Sequence, residues 1–180
     1  TCSNAERPSL MGNKITRIVA VDPGLSGAIA HIDLCISAKG APYFELVDVF
    51  DMPLKTVKVN RKPRQVIVPE ELPALLGCGV RGRTHVIIEA VGAAPGQGVT
   101  SMFRFGYATG LVTGAFAGMG FTSETITPKL WQGILRVGKT DEEALDRVKL
   151  MFPQHVDKYF KRKKDHNRAD AVLIGCAHGL

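Results

Sequence analysis

The chain has 180 residues, 45% hydrophobic and 22% charged, an ordinary globular composition long enough for one domain with a real core. No apolar run approaches the length that spans a bilayer and no secretory pattern opens the sequence, so a soluble, cytoplasmic protein with no membrane partner is expected. A net charge of +6 suggests a polyanionic partner.

Residues 1–13 lack periodicity and read as a disordered leader, with the stretch before Met11 open to being an appended tag; residues 14–180 read as a single domain. A first strand runs from Lys14 to Val21 and ends on Asp22. The DPGLSG turn leads into a second strand, Gly27 to Leu34, and a turn at Lys39-Gly40-Ala41-Pro42 leads into a third, Tyr43 to Phe50. Such short connections favour an antiparallel meander. Met52 to Val68, with Pro53, Pro63 and many basic residues, is expected to be an exposed loop. Pro69-Glu70-Glu71 opens a short helix through Leu76, and Thr84 to Glu89 is a buried strand that again finishes on a carboxylate.

The Gly-rich stretch from Gly92 to Thr100 reads as a mobile loop, followed by a helix from Ser101 to Met119. Gly106, Gly110, Gly114 and Gly118 fall four apart on one face of that helix. Each costs about 1 kcal/mol relative to Ala, so the stripe calls for close approach to either the sheet or a partner helix. Phe121 to Thr127 is a fifth strand, and Pro128 begins a helix containing Lys129 and Trp131. Thr140-Asp141-Glu142-Glu143 has the capping-box pattern for a helix reaching Met151. A basic stretch, KRKKDHN, leads into a last helix from Arg168 to about His178 that carries Asp170. The whole is a mixed α/β sheet with helices on its faces.

Cys2, Cys35, Cys78 and Cys176 form no Cys-x-x-Cys pair, which fits neither a disulfide framework nor a zinc site; Cys35 and Cys176 are expected as buried free thiols. Basic residues cluster twice, at Lys55, Lys58, Arg61, Lys62 and Arg64 and at Lys158, Lys161, Arg162, Lys163 and Lys164. A charge run is ordinarily a solvated loop, but two beside a candidate carboxylate site favour nucleic acid.

Asp22 and Glu89 each end an apolar strand, and Asp170 lies within an apolar helix. Asp22 alone could cap its turn, Glu89 could face water, and Asp170 could be a helix first-turn acid. Together they offer the carboxylates that two-metal phosphodiester hydrolysis needs, with magnesium the suited ion. His166 precedes Asp170 by four residues and shares its helix face, so it is the favoured fourth ligand. Asp165, about 140° away, looks more like an N-cap, and Asn167 could contribute neutrally.

The motifs DPGLSGAIA, VIIEA and DHNRADAVLIG, in this order, resemble those of RuvC-type Holliday-junction resolvases, particularly phage-encoded and related members. The resemblance implies a ribonuclease H-like fold: a mixed five-stranded sheet, three strands in an antiparallel meander plus two parallel ones, flanked by helices. It implies a homodimeric endodeoxyribonuclease that binds branched DNA and nicks two strands symmetrically across a four-way junction, leaving 5′-phosphate and 3′-hydroxyl ends. Two Mg2+ ions per site, or Mn2+, would serve it. Asp22, Glu89 and Asp170 match three of the family's metal ligands. The fourth usually stands three residues before the last Asp, here Asn167, which leaves His166, Asp165 and Asn167 as candidates. Lys129 and Lys139 resemble basic residues that touch phosphate near the cut. Phe103 and Phe105 are candidates to stack on unpaired bases, although a place in the helix core is the preferred reading of both. Gln97, between Gly96 and Gly98, and the basic residues Lys163, Lys164 and Arg168 are candidate DNA contacts. Gly106, Gly110 and Gly114 fall where the family forms its dimer. The compartment would be that of a bacterium or phage-infected cell, with an organelle left open.

Competing readings are an actin-like or sugar-kinase-type phosphotransferase, which opens with a similar strand–Asp–x–Gly hairpin but needs a second domain, and a non-catalytic junction-binding module. A monomeric ribonuclease or flap nuclease would keep the fold.

Overall fold

The computed structural model describes residues 16–76, 83–90, 92, 96 and 98–180. The expected leader, Cys2, Cys78 and Gln97 lie outside the described residues. Strands β1 (Thr16–Val21), β2 (Ala28–Ile36) and β3 (Pro42–Asp51) form the expected antiparallel meander. Leu46 and Val49 are both buried on one face despite their odd spacing, because the β2–β3 register shifts at His31/Ile32 and leaves Val47 as the extra residue of a bulge.

Met52 to Val68 is not the expected loop. It holds β4 (Leu54–Val59) and β5 (Lys62–Ile67), a separate two-stranded hairpin. Asn60 and Arg61 link the strands with φ of 50° and 63°, the successive left-handed residues of the tightest hairpin turns. Pro63 is tolerated because the ribbon is exposed almost throughout; Ile67 alone among the strand residues is buried.

A single 3-10 turn at Pro69–Glu71 leads into α1 (Leu72–Leu76), and β6 (Thr84–Glu89) follows. The long helix α2 (Val99–Gly118) precedes β7 (Ser123–Ile126), after which come α3 (Pro128–Leu135), α4 (Asp141–Met151), α5 (Val156–Tyr159) and α6 (His166–His178). The five-stranded sheet has the order β3-β2-β1-β6-β7, with β6 parallel to both β1 and β7. It is the mixed sheet flanked by helices that the sequence suggests. The α4 capping box forms as expected, with Thr140 and Glu143 bonding each other's backbone N–H.

Each face of the sheet carries its own apolar layer. Val19, Val21, Ile29, Val86 and Ile88 meet α2 through Ala108, Val112 and Phe116. Ile18, Ala20, Ile32 and Ile87 meet α6 and, beyond it, α4 and Trp131 of α3. Helix α6 lies very close to the strands: a Cβ at Gly175 would come within 2.5 Å of Ile32 Cδ1 and 3.0 Å of Ala20 Cβ. Glycine there sets the height of α6 above β1 and β2. The glycines of α2 do the opposite. A Cβ at Gly106, Gly110, Gly114 or Gly118 would meet nothing within 4 Å, so the stripe faces away from the sheet, which removes one of its two expected explanations. Cys35 and Cys176 are buried free thiols.

Candidate active site

The parallel pairing of β1 with β6 sets Val21 beside Ile88, so the next residues, Asp22 just past β1 and Glu89 at the last position of β6, stand side by side. By strand alternation both share the face of Ala20 and Ile87, the face that α6 covers. The turn after β1 is built to hold Asp22 still. The Gly24 N–H donates to Asp22 Oδ1 at 3.1 Å and the Asp22 N–H to the Ala28 carbonyl at 3.0 Å. Gly27 packs so tightly that a Cβ would sit 2.1 Å from the Asp22 carbonyl oxygen. Helix α6 brings Asp170 over the same strand ends.

The three carboxylates feel one another. Burial, and then the charge of Asp22, push Glu89 up to about 7 against the hydrogen bond it accepts from the Trp131 indole Nε1–H at 2.8 Å. Burial, then the charges of Asp22, Glu89 and Asp141, push Asp170 up to about 7 as well. Asp22, 9% exposed, is raised by burial, while the Gly24 bond and nearby His166 pull the other way. Glu89 and Asp170 line a cleft of about 140 Å³ with Trp131, Lys139 and Asp141. Asp141 also lines a neighbouring cleft of about 420 Å³ between α4 and the basic stretch, where His166, Lys163 and Lys164 lie.

No protein-family model and no curated protein matches this sequence. Its structure matches that of RuvC from Thermus thermophilus with a TM-score of 0.56 and 18% identity, over 91% of this chain and 93% of the other. A second structure, T. thermophilus RuvC in complex with Holliday junction substrate, matches with a TM-score of 0.55 and 17% identity over 91% and 92%. The fold is that of RuvC.

Within this RuvC fold the other sequence candidates fall unevenly. His166 stands at the start of α6 with Nε2 3.5 Å from Asp141 Oδ2, and its buried Nδ1 has no hydrogen-bond partner. Asp165 is buried, but its carboxylate turns back to accept from the Arg162 N–H at 2.8 Å and the guanidinium at 2.7 Å. Asn167 lines a different cleft, with Ser26, Asp51 and Arg168. Arg168, expected at DNA phosphate, has its guanidinium committed to Asp51 at 2.5 and 2.6 Å. Lys139 reaches the acidic cleft; Lys129 is exposed on the first turn of α3 and does not line it. Phe103 is 74% exposed rather than in the helix core, and lines an apolar cleft of about 270 Å³ with Tyr107, Arg64 and Arg104. Phe105 is half-buried against the turn, 3.5 Å from where a Cβ on Gly24 would lie.

Two residues to which the sequence assigns no role join this cleft. Trp131 orients Glu89, and Asp141 stands between Asp170 and His166. A divalent cation fits the set: carboxylates made costly by burial and mutual repulsion, beside an imidazole nitrogen with no partner, are what a cation relieves.

Proposed function

We propose that the chain is a magnesium-dependent endodeoxyribonuclease that resolves four-way DNA junctions by paired symmetrical nicks, leaving 5′-phosphate and 3′-hydroxyl ends. The observation that carries this reading is the meeting of Asp22, Glu89 and Asp170 at one end of a RuvC-type sheet, in charge contact, with Asp22 buried and the other two half-buried. Two bound Mg2+ or Mn2+ ions would activate water and offset charge on the phosphodiester. Asp22, Glu89 and Asp170 hold them, with His166 as a further donor. Trp131 fixes the Glu89 carboxylate in one orientation, and Asp141 draws the His166 ring toward the cleft. Lys139, at the rim, meets the phosphate next to the cut.

Positive charge is spread over more than one element. Lys163 and Lys164 extend the cleft along one DNA arm, and residues 54–67 add Lys55, Lys58, Arg61, Lys62 and Arg64 with no acidic residue among them. Phe103, exposed beside Arg64 and Arg104, offers a flat face for an unpaired base, a contact worth about 1–3 kcal/mol. Paired nicks need two sites, so the active form is a homodimer.

The test is a synthetic mobile four-way junction incubated with protein and magnesium, with products read at nucleotide resolution. Symmetrical nicks in opposing strands are expected. Asp22→Asn should lower cleavage at least about 100-fold, more than loss of a residue that merely supports a metal ligand, while junction binding persists. An inert wild type in both magnesium and manganese would leave a junction-binding module in place of a nuclease.

A further inference from the structure

The opposite end of the same sheet face carries a second constellation, unrelated to the acidic cleft. His85 is the second residue of β6, two before Ile87, and Glu124 of β7 pairs with Ile87 in register, so both occupy the face that α6 covers. His178, the last residue of α6, comes down between them. One ligand atom from each of His85, Glu124 and His178 lies within 4.8 Å of the other two. Among the described residues this is the group of three donors that converges so closely; the acidic trio is more open.

From these donors we infer that His85, Glu124 and His178 form a binding site for a transition-metal ion, zinc by preference, distinct from the magnesium cleft and independent of the nuclease reading. The donor chemistry selects the ion. Two imidazoles and one carboxylate suit zinc, with nickel and copper as competitors, whereas magnesium takes oxygen ligands. The geometry is nearly in place. Ligand atoms about 2.0–2.1 Å from a tetrahedral zinc lie about 3.4 Å apart, so small side-chain rotations close the remaining gap. The imidazoles are already 5.7 Å apart between centroids, tilted by 49° to each other. Among the described residues, neither a hydrogen bond nor an ion pair ties the side chains of His85, Glu124 or His178 to another group, so ligation breaks nothing.

His85 and Glu124 are exposed, which leaves the fourth coordination position to water. The structural consequence is local. Strand β7 has four residues and is paired only with β6, so it is a short edge of the sheet. An ion held by all three donors would clip that edge to the end of α6, the helix whose other end carries Asp170 about 12 Å away along its axis.

The experiment uses the full chain without a polyhistidine tag. Zinc is titrated calorimetrically in the Asp22→Asn/Asp170→Asn background, which disables the acidic cleft. One zinc per chain is expected, with affinity falling at least tenfold in both His85→Gln and Glu124→Gln. Cobalt substitution should give the intense visible absorption of a tetrahedral ion, lost in the same variants. Because both substituted positions are exposed, the metal-free melting temperature should be unchanged, and zinc should raise it only where the ligands are intact. Zinc binding that survives both substitutions, or no binding in the doubly substituted background, overturns the site.

Discussion

The near-neutral titration of Glu89 and Asp170 has a consequence for the fold as well as for the proposed activity. Both are raised by burial and by neighbouring negative charge, so the folded chain holds protons at pH values where the unfolded chain has released them. Stability of the metal-free protein therefore falls as pH rises from about 4 toward 7 and stays low above it. Asp170→Asn removes that cost. In urea denaturation with chelator it should stabilise the protein at pH 8 by on the order of 2–4 kcal/mol, with the gain shrinking as pH falls toward 4. A variant no more stable than wild type at pH 8 would mean that Asp170 is not packed against the other acids. Trp131→Phe tests the same coupling from the other side. The indole N–H favours ionised Glu89, so its loss should move the acid limb of the pH–rate profile upward and lower the rate about 10–100-fold. Asp22, Glu89 and Asp170 could be found in the sequence because a charge that ends or interrupts an apolar run needs a reason. Asp141 could not, because its place in a capping-box helix already explains an acid there. Trp131 was hidden for a similar reason, since an apolar residue in a short helix reads as core.

The strands and helices with unbroken periodicity were legible, and the main failure shows what masks a strand. Val57, Val59 and Val66 alternate as strand residues do, but Pro63 and five basic residues speak for a loop. What decides for the hairpin is the Asn60–Arg61 turn, whose left-handed backbone matches the twist of the ribbon. Arg is a poor choice at φ 63°, and at this exposed turn tip its charge supplies the better explanation. If the ribbon lies along a DNA arm, replacing Lys58→Gln, Arg61→Gly and Lys62→Gln together should weaken junction binding. The slope of log affinity against log salt should fall by up to about 2.7, roughly 0.9 for each phosphate that these cations neutralise. The Gly at position 61 favours the turn, so the variant should melt no lower than wild type. An unchanged salt slope would place the ribbon away from DNA.

At the scale of the whole molecule, the described residues hold one acidic cleft, while symmetrical nicking requires two. For the proposed homodimer, the outer side of α2 is the face we assign to the second copy. Gly106, Gly110 and Gly114 leave a flat strip along the helix, and beside it Val99 and Tyr107 stand 78% and 60% exposed. Four-residue spacing of glycine lets two helices approach closely, and exposed apolar side chains beside such a strip favour burial. The sequence could not separate a dimer strip from packing on the chain's own sheet, because both ask for glycine on one face; the buried Ala108, Val112 and Phe116 on the other side remove the sheet as the explanation. Substitution at Gly110 separates the two energetically. In an isolated chain a side chain there meets open space, and removing a mid-helix glycine should stabilise the helix by about 1 kcal/mol. In a dimer packed through this strip the same side chain wedges the helices apart. Gly110→Arg should therefore sediment as a monomer where wild type sediments as a dimer, melt at or above the temperature of dilute wild type, and nick junctions one strand at a time. A variant that stays dimeric and keeps cutting opposed strands together would put the interface on another face.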